Sequence, residues 1–226
     1  MYKSFLFSLL LFSVLLSVSC DGRGYTVKGE ISHGYFNGDT VYAVAFSGDS
    51  VVKVAGGIVD KGAFSLSGTV DSSYIALLQI SHIKITPFVV EPGRIKMDID
   101  DDGVYVGGTP LNDAFASFKV MKDSFDTILS GILRKEARLL IEGVPADKAR
   151  SMIEGEFRSV VDSAEVYIEG FVRSHYDDVL GPFVLSLYCS GMSYTMLQPR
   201  MKALYDESPE SFRNSHFMES LNRSLD

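Results

Sequence analysis

The sequence has no tryptophan and only two cysteines, Cys20 and Cys189, in 226 residues. No C-x-x-C pair is therefore available for redox chemistry. The four histidines, His33, His82, His175 and His216, lie far apart and have no metal-ligand spacing. There is no G-x-S-x-G nucleophile elbow, no Walker loop and no H-E-x-x-H. No basic block occurs: 21 Lys and Arg stand against 29 Asp and Glu, a formal charge of −8. A chain of that balance is a poor partner for nucleic acid. The missing tryptophan weighs against a sugar-stacking platform. No apolar run reaches the ~20 residues that a bilayer-spanning helix needs. No catalytic residue and no cofactor is expected.

What is present begins with an address. Lys3 gives a short basic start, Phe5 to Leu16 is nearly unbroken apolar, and Ser17-Val18-Ser19 leads into Cys20. Residues 1–19 read as a secretory signal, Cys20 as a lipid-attachment cysteine and 20–24 as the tether. Ser19 is the small residue wanted before such a cysteine. Ser17 stands where an aliphatic residue is preferred, and Ser17 with Ser19 also suits an ordinary signal peptidase. On the lipid reading the chain sits in the cell envelope, on the periplasmic side or at the outer membrane. Two acyl signals hold stably where one is marginal. The expected partners are the membrane, through the anchor, and an envelope protein or a small ligand whose identity the sequence leaves open. Removing residues 1–19 leaves 207 residues with charge −9, enough for a real core. Cys189 is then the sole thiol. It lies in the apolar stretch Val184 to Cys189, with no Lys, Arg or His within eight residues, so a buried small hydrophobe is expected.

The remaining chain changes period once. From residue 25 to 108, short β-rich runs alternate with Gly, Asp and Pro turns at 8–12-residue spacing. This predicts an antiparallel β-sandwich or barrel-like domain. Tyr74 to Ile80 is continuously apolar, as in a strand buried on both faces. From 109 to 226 apolar residues recur at three and four. Thr109-Pro110 supplies an N-cap and a first helical proline, Gly143 ends the first long helix, and Pro145 starts a second. Pro182, Pro199 and Ser208-Pro209 mark shorter segments. The fold class is α+β, a β domain followed by an array of four to five helices. The tight boundary near Gly107 to Thr109 predicts that the halves pack together, with the first long helix over one face of the sheet.

One run invites a metal reading. Asp98-Ile99-Asp100-Asp101-Asp102-Gly103 fits the first half of a calcium loop, with Asp98, Asp100 and Asp102 as weak candidate ligands. The twelfth position wants a bidentate Glu and holds Thr109, and the flanks read as strands. An acidic hairpin turn is the better reading.

The β half also carries a sequence of motifs. Tyr25 to Ile31 follows Y-x-V-x-G-x-I. Val59 to Gly68 follows V-D-x-G-x-F with a closing glycine. Val90 to Ile95 reads V-E-P-G-R-I, and Gly107 to Asp113 reads G-G-T-P-L-N-D. In this order they resemble an N-terminal β domain of unknown function, with its helical connector, from Bacteroides-type envelope lipoproteins. Such proteins commonly continue into a thioredoxin-like domain with a W-C-x-x-C site. The resemblance covers about residues 25–226 and implies location and fold. No residue here matches the redox motif, so that activity is not expected to transfer. The leading expectation is a non-catalytic envelope lipoprotein that binds or scaffolds. The alternatives are an accessory partner of a thiol–disulfide system and a calcium-stabilised surface module.

Overall fold

The computed structural model describes residues 22–32, 36–47, 50–190, 192, 194–223 and 225. The leader, Cys20 and His33 lie outside the described residues. Eight strands come first: β1 (Gly24–Ile31), β2 (Thr40–Ser47), β3 (Ser50–Ile58), β4 (Ala63–Thr69), β5 (Tyr74–Ile80), β6 (Ile83–Val90), β7 (Gly93–Asp100) and β8 (Gly103–Gly107). They form two four-stranded sheets, in the orders β4-β1-β7-β8 and β3-β2-β5-β6. The sandwich and α+β class expected from the sequence are both present. All pairings are antiparallel except β1 with β7, which run parallel from Tyr25/Gly93 to Ile31/Ile99. Strand periodicity does not reveal partner direction, so this pair was not legible.

Two-fold alternation along the strands fills the space between the sheets. Val27 and Ile31 of β1 meet Val41, Ala43, Leu78, Phe88, Ile95 and Met97 there. The β1–β4 pair adds a reciprocal arrangement. Tyr25 lies opposite Gly68, and Gly29 opposite Phe64. In each case the ring covers the glycine: a Cβ on Gly29 would stand 2.0 Å from Phe64 Cζ, and one on Gly68 2.8 Å from Tyr25 Cε1. This is the physical content of the spaced Tyr, Gly and Phe in the first two motifs. The turn into β4 is a two-residue loop with Lys61 and Gly62 both at positive φ, as a tight primed hairpin turn requires.

Four longer helices follow: α1 (Pro110–Ile141), α2 (Ala146–Ser174), α3 (Leu180–Tyr188) and α4 (Pro199–Asp206). Single turns close the described chain, α5 (Glu210–Arg213) and α6 (Glu219–Asn222), with 3-10 turns at Tyr194–Met196 and His216–Met218. Gly143 ends α1 as expected, at φ 86°, with its N–H on Leu140 O and that of Val144 on Leu139 O. Ser208 does not cap α5. Its hydroxyl donates to Tyr205 O, and Pro209 occupies the cap position.

β5 is buried on both faces, as its unbroken apolar run predicts. Ala76, Leu78 and Ile80 enter the inter-sheet core, whereas Ile75 joins Val89 of β6 in a second core. That core holds Phe115 and Phe118 of α1, Val172 of α2, Leu180, Val184 and Leu185 of α3, and Met201 and Leu204 of α4. One sheet thus serves both cores, and the halves pack directly. Arg200 of α4 donates to Glu169 of α2 at 2.9 Å, and Arg173 donates to the other Glu169 oxygen at 3.0 Å. These bonds hold the Glu169 carboxyl below the usual carboxylate range.

Candidate functional site

The start of α1 is fixed by polar groups buried between the sheet and the helix. β6 is an edge strand, so its outward N–H and C=O groups need partners. Asn112, 1% exposed, supplies them at Val89. Its Oδ1 accepts from Val89 N at 2.9 Å, and its Nδ2 donates to Val89 O at 2.8 Å. The same Nδ2 lies 2.9 Å from Thr109 Oγ1 and 3.3 Å from Glu91 Oε1. A side-chain amide here stands in for one residue of a neighbouring strand.

Thr109 is at the expected N-cap position, but its hydroxyl does not cap the helix. Glu91 does so from the end of β6: Oε1 accepts from Leu111 N at 2.9 Å and Asn112 N at 3.1 Å. A carboxylate there satisfies unpaired first-turn donors and meets the positive end of the helix dipole. Asp113 Oδ1 accepts from Gly108 N at 2.7 Å. Among the described residues no buried side-chain polar atom lacks a partner. The V-E-P-G-R-I and G-T-P-L-N-D strings therefore form one joint. In sequence the first string reads as a turn and the second as a helix start; the usable signal was a carboxylate next to Pro92 at the end of β6 and an amide two residues past Pro110 in the first turn of α1.

Beside this joint, the β7–β8 hairpin faces α1 across a cleft of about 470 Å³. Its apolar lining includes Val104, Val106, Phe115 and Pro87. Asp98, Asp100, Asp102 and Asp123 supply acidic groups, and Lys119 is the cation among the lining residues. Tyr105, 52% exposed, and Val120, 72% exposed, border it. The three aspartates singled out from the sequence are thus brought to one place, but not as a calcium loop. They belong to a hairpin in which Asp100 Oδ1 accepts from Asp102 N at 2.9 Å and Gly103 N at 3.0 Å. Thr109, at the twelfth position, is buried in the joint. No group of three His, Cys, Asp or Glu among the described residues is placed to hold a metal ion. An acidic, apolar-lined cleft has the character to take an extended segment bearing both basic and apolar side chains.

Cys20 lies outside the described residues. Cys189 is buried, as its apolar surroundings predict, and burial pushes its thiol up from 9.0 to about 12. A thiol with that character is inert near neutral pH. His175 Nδ1 lies 2.7 Å from Asp178 Oδ2, while Asp178 Oδ1 accepts from Leu180 N and opens α3. His82 and His216 are exposed. No described helix is long and apolar enough to cross a membrane.

Residues 25–115 match a domain of unknown function, DUF4369. The DUF4369 match agrees with the N-terminal domain of unknown function that the motifs resemble. It runs past Gly108 into the first turns of α1 and so takes in the whole Glu91, Thr109 and Asn112 joint. No curated protein and no solved structure matches the chain.

Proposed function

We propose that the chain is a non-catalytic binding or scaffolding module of the cell envelope, tethered through a lipid on Cys20. The observation that carries the binding role is the acidic cleft between the β7–β8 hairpin and α1. Its apolar lining and four carboxylates favour a basic, partly apolar segment of an envelope protein as occupant. The joint beside it is buried and fully hydrogen-bonded, which holds α1 and the hairpin in fixed relation. The tether rests on the apolar leader, the small Ser19 and the cysteine that follows it. An accessory role in thiol–disulfide exchange gains no support from Cys189, whose thiol is buried and protonated.

Fractionation of cells producing the chain and its Cys20→Ala variant tests the tether. The unaltered chain should label with fatty acid and partition with membranes. The variant should lose the label and leave the membrane fraction. An unchanged membrane fraction in the variant would remove Cys20 as the anchor.

A further inference from the structure

The parallel pairing of β1 with β7 also arranges charge. It sets Thr26 beside Arg94, Lys28 beside Lys96 and Glu30 beside Asp98. These positions face away from the core, because Val27, Ile31, Ile95 and Met97 fill it. The outer face of the β4-β1-β7-β8 sheet is therefore divided. The half nearer the start of β1 carries Lys28, Arg94 and Lys96, all exposed, with Ser65, Ser67 and Thr69 of β4 alongside. The other half carries Glu30, Asp98 and Asp100 and leads into the acidic cleft.

Lys28, Arg94 and Lys96 enter no ion pair among the described residues. Two ammonium groups side by side on adjacent strands repel unless an anion lies over them. The carboxylates at this end of the sandwich are placed elsewhere. Asp71 pairs with Arg23, Glu91 is buried under α1, and Asp113 accepts from Gly108 N. Asp177 and Asp178 lie on the helical side, near Ser72 and Tyr74.

The tether decides what meets this half. Arg23 O accepts from Val70 N at 2.9 Å, and its guanidinium pairs with Asp71 at 3.0 Å, so the chain is fixed to the sandwich from there on. From Gly22 back to Cys20 is two residues, which span at most about 7 Å. A lipid on Cys20 thus holds this end of the sandwich against the headgroup layer. Along the strands from Gly24, Arg94 stands about 7 Å away and Lys28 and Lys96 about 13 Å. A tilt onto this face brings all three to the surface. The field of anionic headgroups acts within about 8 Å at physiological salt, so a much longer tether would leave the patch outside it. Helix α1 begins at this same end, after Gly107, and by Asp123 has passed Asp100 and Asp102. The hairpin that it forms with α2, bridged by Lys135 and Glu156 at 3.0 Å, points away from the tether.

We propose that Lys28, Arg94 and Lys96 dock on the phosphate-bearing headgroups of the bilayer that holds Cys20, and so turn the acidic cleft outward. The proposal rests on the lipid reading of Cys20.

The chain has no tryptophan, so a single introduced one reports its own position. The processed chain is coupled through Cys20 to a maleimide lipid, in phosphatidylcholine and phosphatidylglycerol vesicles that carry a headgroup spin label. The buried Cys189 does not compete for the coupling. Ser67→Trp lies on the basic face, and Val51→Trp lies on the other sheet at the same end. Emission from Ser67→Trp should be quenched at least about twofold more than emission from Val51→Trp. The difference should vanish in added salt, without phosphatidylglycerol, and when Lys28, Arg94 and Lys96 are changed together to Glu. Equal quenching at the two positions overturns the proposal. So does stronger quenching at Val51, which would place the exposed Val51, Val52 and Val54 of β3 on the membrane instead. A difference that survives both salt and the charge reversal overturns it as well. The coupling replaces cellular lipidation, so failure of the tether shows in the fatty-acid label and failure of the patch shows here.

Discussion

Asn112 pairs with Val89 through both ends of its amide, so a helix residue completes the edge of a sheet. Its position makes it a sensitive point for the whole molecule. Removing the amide strands the N–H and C=O of Val89 in a region closed to water, and it takes a partner from Thr109. Buried groups left unpaired cost about 1–3 kcal/mol each, partly shared within a network. Asn112→Ala is therefore expected to lower the unfolding free energy by about 2–4 kcal/mol, read from urea denaturation. Asn112→Asp should do no better. It keeps the acceptor for Val89 N, loses the donor for Val89 O, and brings a second carboxylate beside Glu91. A loss below about 1 kcal/mol in both variants would show that the joint contributes little.

Among the elements, the β1–β4 pair shows how glycines and aromatic rings exchange places across a ladder. A methyl group on Gly29 would meet the ring of Phe64, which is buried and packed into the inter-sheet core. Overpacking of this kind costs about 1–3 kcal/mol. Gly29→Ala should lower stability by that amount, and Phe64→Leu in the same chain should recover part of the loss in a double-mutant cycle. Full additivity of the two changes would deny the contact. The strands, the long helices and their order were legible because burial imposes periods of two and 3.6 on the sequence. Three things were not. The parallel β1–β7 pair depends on which edges meet, a long-range matter. The Glu91 cap reaches α1 from 20 residues upstream, so the local rule pointed to Thr109 instead. The acidic run reads as a turn, but its cleft exists only because α1 returns past β8. Cys189 was legible, since an apolar run without nearby cations leaves a thiol little choice but burial.

At the scale of the whole molecule, two cores share one sheet, and the β domain and helical array are held as one body by the joint at Asn112. The acidic cleft opens beside that joint, and the hairpin extends away from it. The central claim is that this tethered body acts by holding an envelope partner in the cleft. A photo-crosslinking amino acid at Val120, which borders the cleft and is largely exposed, tests the claim in intact envelopes. The account predicts a discrete crosslinked protein that carries a basic segment. That product should fade when Asp98, Asp100 and Asp123 are changed together to Asn, and it should be lost with Cys20→Ala. A crosslinker at Val120 that yields no discrete product, or a product indifferent to the aspartates, would contradict it.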